Sequence, residues 1–364
     1  MAPHFHNVQA LRGGACLMVV LGHLRAWDTA FVDGTPGLGV MHYVGFTGVD
    51  LFFVLSGFVI TATNRRHFGR PAAVPGYLFR RAWRIYPTYW AAMALAAGTV
   101  SVLFGSGPFG REAARLWPEW AGLAPLDGLN PIIAQAWTLT YELMFYAAFG
   151  VLLILPARAA AAGLAAWAVV AAAALFAPVP TNPWAVLPVS PFVFEFLGGC
   201  LVAWLAGRGV RGRSGLMLAA GLAWAAVGAL LVAAGDAPYM LAMFNARLRV
   251  LVFGPAAVLV VYAAVATEGR WRVPRWLLRT GDASYSLYLT HTTVYVAALA
   301  VGMKVPHTPV AHLTGLAGTL AAALAAGFAF YALVEKPLLN LGRRRRTPSA
   351  PVAEPGIAST RRAA

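Results

Sequence analysis

Charged residues are scarce in this sequence. Only 11% of its 364 residues are Asp, Glu, Lys or Arg, whereas a soluble domain carries about a quarter. That excludes an ordinary water-exposed surface. Acidic residues are rarer still, 13 against 28 Lys and Arg. Cysteine is almost missing: Cys16 and Cys200, both in apolar runs, complete the set. Two cysteines make no disulfide framework, and neither stands in a metal-ligand spacing. They read as small buried hydrophobes, and no metal is expected. No internal repeat suggests the inverted halves of many transporters. The first apolar stretch is not followed by a convincing small-residue cleavage site, so it reads as a span and not as a signal peptide.

Apolar residues fill the chain instead. They make up 60% of it, with a mean hydropathy of +0.67. A helix needs about 20 such residues to cross a bilayer. Ten stretches qualify, near 8–27, 44–63, 78–102, 133–155, 159–177, 186–206, 215–234, 246–267, 284–303 and 310–333. The expected fold is all-α, a polytopic integral membrane domain over 1–340. Residues 341–364 read as a basic, disordered cytoplasmic tail, rich in Pro, Ala and Ser after Arg346.

The formal net charge of +15 raises the question of nucleic acid binding. The basic residues, however, fall between apolar spans, so the bilayer is the expected partner and nucleic acid is not. Arg65, Arg66 and Arg70, then Arg158, then Arg208, Arg211 and Arg213, then Arg270, Arg272, Arg275 and Arg279 occupy alternate loops, and Arg343 to Arg346 the C-terminal end. "GDAPYM" and "APVPTNP" on the other side have none; the long connection 103–132 has Arg111 and Arg115, offset by Glu112, Glu119 and Asp127. This asymmetry places both termini in the cytoplasm.

Ionisable residues inside spans are costly and mark function. Arg12 and His23 are eleven residues apart. At about 100° per residue they return to within about 20° of one face, separated by about 16 Å along the axis. Each has a bland alternative, an anchoring arginine and a packing histidine. In "GVDLFFVLSGF", Asp50 either orients the His23 imidazole or caps its span. In "LFRRAWRIYPTYW", Arg81 and Arg84 share a helix face, as do Arg80 and Arg84, suiting either phosphate recognition or membrane anchoring. In "WTLTYELMFY", Glu142 shares a face with Thr138 and Tyr146. Glu142 and Glu195 are candidates for structural ion pairs with Arg247 or Arg249. "GDASYSLYLTH" sets Ser284, Tyr288 and His291 along one side of a span, and "VEKP" adds Glu335.

These motifs, in this order and from Asn7 to Pro337, resemble the membrane-bound acyltransferase 3 family, which O-acylates bacterial surface and secreted carbohydrates and some natural products. "GVDLFFVLSGFVI" and "WTLTYELMFY" are similar to exopolysaccharide acetyltransferases of that family. The resemblance implies an acyl-CoA donor, most simply acetyl-CoA, on the cytoplasmic side of a bacterial inner membrane. It implies a carbohydrate or lipid-linked sugar as acceptor. The family's key pair maps onto Arg12 and His23, and its Arg-x-x-Arg element onto Arg81 and Arg84. Arg12, Arg81 and Arg84 would then hold the CoA phosphates. His23 would act as general base or as acyl carrier, with Glu142 or Asp50 fixing its tautomer. Two alternatives stand beside this: acylation of a small secondary metabolite such as a macrolide, and a transporter without chemistry. Neither the acyl group, the hydroxyl position nor the oligomeric state is legible.

Overall fold

The computed structural model describes residues 5–24, 44–105, 117, 120–125, 132–234, 246–302 and 308–344. Much of the 103–132 connection, "GDAPYM", Arg345, Arg346 and the tail beyond them lie outside the described residues. Within them the chain is all-helical, without a strand. The long helices are α1 (His6–His23), α2 (Gly48–Asn64), α3 (Val74–Phe104), α4 (Trp137–Ile154), α5 (Ala157–Ala174), α6 (Phe192–Gly207), α7 (Ser214–Ala234) and α8 (Ala246–Ala266). The short α9 (Arg275–Asp282) precedes α10 (Ser284–Gly302) and α11 (Pro309–Phe330). A π-helical turn, Tyr331–Glu335, then leads into α12 (Lys336–Arg344), so helix continues into the first residues of the expected tail.

A helix stands at each of the ten expected places. Eight helical segments are long and apolar enough to cross a membrane by length and composition, which makes this a membrane protein. The expected ten exceeds that number by two, α1 and α10. Both are helices of the expected length, 18 and 19 residues, but polar side chains dilute them. α1 carries His6, Asn7, Gln9, Arg12 and His23; α10 carries two serines, three threonines and His291.

Those two helices lie inside the assembly. α1 packs against α2, α9 and α10, and α10 against α3 and α11. The closest packing joins α2 to α6. There Gly57 and Gly199 are indispensable: a Cβ on Gly57 would strike the Phe196 carbonyl, and one on Gly199 the Val54 carbonyl. Small residues at such crossings let backbones touch. Cys16 and Cys200 are both buried and free.

One end of the bundle is tied by α1. Glu268, just after α8, accepts from the backbone N–H groups of His6 at 2.7 Å and Asn7 at 3.0 Å. An anion there satisfies amides that have no partner within the helix and complements its dipole. Asn7 Nδ2 donates to Ala264 O at 3.0 Å, and Gln9 Nε2 to Asp282 Oδ1 at 2.7 Å. Arg12 therefore starts from a fixed position.

Candidate active site

A cavity of about 170 Å³ lies between α1, α2, α3, α4 and α10. Arg12 enters from α1, Arg81 and Arg84 from α3, Glu142 and Tyr146 from α4, and Ser284, Tyr285 and Tyr288 from α10. Phe52, Phe53 and Ser56 of α2 form an apolar wall with one hydroxyl. The three arginines singled out for an anionic donor thus line one space. Arg12 donates to Ser284 Oγ at 3.3 Å. Arg84 pairs with Glu335 at 2.7 Å, and Ser286 donates to the other oxygen of that carboxylate at 2.6 Å. Glu335 is fully buried at the π-helical turn, which turns it toward α3. Among the described residues Arg12 and Arg81 form no ion pair, so the cavity retains an excess of positive charge. The Arg81 guanidinium lies 5.3 Å from the Tyr146 ring centre and 5.7 Å from that of Tyr77, and Arg84 lies 5.6 Å from Tyr285. Aromatic faces hold these cations without neutralising them. Arg80 lies on the exposed side of α3 and does not line the cavity.

Glu142 faces the same space. Its Oε1 accepts from the Tyr146 hydroxyl, and Ser56 Oγ is 3.5 Å away. Tyr146, one turn after Glu142, is a site residue that sequence reasoning noticed only as its neighbour. Among the described residues Glu142 makes no hydrogen bond to His23 and no ion pair with Arg247 or Arg249.

Asp50 is elsewhere too. It is fully buried in the first turn of α2, where both its oxygens accept from Arg249, at 2.9 and 3.1 Å from Nε and 2.9 Å from Nη2. Arg249 also donates to Phe46 O at 3.0 Å and lies over the rings of Phe46, Phe192 and Trp137. The expected ion pair of Arg249 therefore exists, but with Asp50 in place of Glu142 or Glu195. Glu195 lies fully buried beside Asp50. Arg247 donates to the carbonyls of Ala177 and Ala174, at 2.6 and 3.4 Å.

His23 is held by its own helix: Nδ1 is 2.9 Å from Val19 O. That bond fixes the ring without any carboxylate. His23 stacks edge-on against His291, ring centres 5.1 Å apart. Neither histidine lines the cavity; the lining residues Phe52 and Tyr288 have rings 6.2 Å apart, and Tyr288 lies 6.1 Å from His291. The Tyr288 hydroxyl contacts Thr138 Oγ1 at 2.7 Å and donates to Gln135 O at 3.0 Å. Gln135 in turn holds α10 through Tyr288 O at 2.8 Å and Thr292 Oγ1 at 3.0 Å. Gln135 was not foreseen; an amide near the start of the expected span 133–155 was the available signal. The arrangement is a cavity with an excess of positive charge, one of whose lining rings, Tyr288, lies 6.1 Å from His291 of the histidine pair. It suits an anionic molecule.

Residues 5–333 match the profile of an acyltransferase domain, Acyl_transf_3. The chain belongs to the acyltransferase 3 family. It is accordingly an O-acyltransferase. Exopolysaccharide production protein ExoZ of Rhizobium meliloti (strain 1021) is 32% identical over 323 residues, covering 83% of this chain and 92% of that protein. Nodulation protein 10 of Rhizobium leguminosarum bv. viciae is 28% identical over 371 residues, covering 93% and 94%. No solved structure matches.

Proposed function

We propose that this acyltransferase moves an acetyl group from cytoplasmic acetyl-CoA to a hydroxyl of an exported polysaccharide or its lipid-linked precursor, in the bacterial inner membrane with both termini cytoplasmic. The observation that carries the donor is the convergence of Arg12, Arg81 and Arg84 on one cavity. Guanidinium groups suit the phosphates of CoA. The apolar wall of Phe52 and Phe53 suits a pantetheine arm. The acceptor rests on the likeness to a protein named for exopolysaccharide production, and the orientation on the basic loops.

His23 is the general base in this reading. Its Nδ1 hydrogen is committed to Val19 O, so Nε2 takes the proton of the acceptor hydroxyl. The oxygen attacks the thioester carbonyl, the C–S bond breaks, and the proton passes from His23 to the departing thiolate.

Replacing His23 by Ala tests the base. General base catalysis contributes about 10²–10⁴-fold, so the host polysaccharide should lose its acetyl groups at normal protein level, by mass spectrometry. Unchanged acetylation would sink the mechanism. Arg81→Ala with Arg84→Ala tests the donor: labelling by an acyl-CoA photoprobe should weaken. Full labelling would return those arginines to membrane anchoring.

A further inference from the structure

Both paired histidines are fixed through the same nitrogen. Nδ1 of His23 bonds to Val19 O at 2.9 Å, and Nδ1 of His291 to Leu287 O at 3.0 Å. A carbonyl oxygen only accepts, so Nδ1 carries the hydrogen in each ring and Nε2 presents a lone pair in each. Two lone pairs cannot satisfy one another, although the ring centres are only 5.1 Å apart. Nε2 of His291 is buried and has no hydrogen-bond partner among the described residues. Such an acceptor is unfavourable unless a donor reaches it. The adjoining hydroxyls are engaged elsewhere: Tyr295 donates to Val20 O at 2.8 Å, and Tyr288 to Gln135 O. Among the described residues no group of three His, Cys, Asp or Glu side chains includes the pair.

We infer that His291 is a second acceptor-binding residue. Its Nε2 accepts a hydrogen bond from a hydroxyl of the incoming acyl acceptor, beside the hydroxyl whose proton goes to His23. The acceptor is therefore a polyol that offers two neighbouring hydroxyls, as a sugar ring does. His291 positions, and the proton transferred in the reaction moves only through His23. This inference rests on the proposed role of His23 but not on the identity of the donor.

The test uses the full chain in a host strain lacking its own copy, with O-acyl groups counted on the secreted polysaccharide by NMR. His291→Gln keeps an acceptor atom near the place of Nε2 but cannot take up a proton there. His291→Phe keeps a ring against His23, Tyr288 and Tyr295 and removes the acceptor. The Gln protein should acylate several-fold better than the Phe protein. The Phe protein should fall on the order of tenfold, the worth of one hydrogen bond, at equal membrane abundance. If the Phe protein does not accumulate, His291→Leu makes the same comparison. Equal activities of the Gln and the apolar variants, both high or both absent, overturn the inference, because packing alone does not distinguish an amide by its oxygen. A wild-type gene that restores no O-acyl groups overturns the proposed function itself, and His291 with it.

Discussion

α5 and α7 are built mostly of alanine, leucine and valine, and only 11% and 17% of their most apolar windows are buried. α10 is the reverse: Ser284, Ser286, Thr290 and His291 are buried almost completely, yet it falls short of the apolarity that a span requires. α1, with Arg12 and His23, falls short in the same way. Lipid accepts no backbone or side-chain polar group without a partner, so an outward helix must be apolar. A helix surrounded by other helices meets partners: Ser286 meets Glu335, Cys16 meets Ser284 O, and Tyr295 meets Val20 O. Hydropathy therefore under-reads the two helices that carry the histidines, although it does not by itself separate inner from outer helices: α2, 67% buried, is as apolar as α5, 11% buried.

The largest effect should come from the charge buried deepest in the inner region. Arg249→Leu leaves Asp50 without its cation and with Glu195 still beside it. Breaking such a pair costs about 3–5 kcal/mol, which thermal unfolding of the purified protein in detergent would register as a large drop in Tm. Replacing Asp50 and Arg249 together by Leu should recover most of it, since a paired apolar replacement is often near neutral. A single variant as stable as the double would mean that water or lipid headgroups reach the pair.

A smaller loss is expected where the inner helices touch. Gly199→Leu drives a side chain into the Val54 carbonyl and the backbone of Phe58. Overpacking of this kind costs about 1–3 kcal/mol. The same substitution at Gly98 of α3, where a Cβ would meet nothing within 4 Å, should leave Tm almost unmoved. Equal shifts at both glycines would contradict the α2–α6 contact.

The sequence was most legible where one physical rule acts alone. Runs such as Leu216–Leu231 announce lipid-facing helix by composition. Arg12, Arg81 and Arg84 were readable as a group only through the family resemblance, since membrane anchoring explained each arginine as well on its own, and the fold gathers them. Partner choice was not legible. Asp50 and Arg249 are 199 residues apart in the chain, and local spacing gives no means of choosing Arg249 over His23 as the partner of Asp50. The carboxylate expected to orient His23 is replaced by Val19 O, a backbone group that every helix offers and no side-chain pattern reveals. The His23–His291 pair was hidden for the same reason: each lay in a separate motif, and only the packing of α1 on α10 joins them.

The smallest effect should appear on the outer helices. Val169 of α5 and Leu230 of α7 are 68% and 67% exposed. Val169→Leu exchanges one apolar side chain for another against lipid, so no water is released and no cavity opens. Stability should stay within about 0.5 kcal/mol of native, as for substitutions away from packed features, and acylation should be unchanged. Val169→Arg is the sharper control: a cation near the middle of a lipid-facing helix costs about 2.5–3.5 kcal/mol for insertion, so its amount in the membrane should fall. If Val169→Leu alone lowered Tm by several degrees, the face would be packed against another chain instead of lipid. Its alanine-rich composition would then be that of an interface between helices.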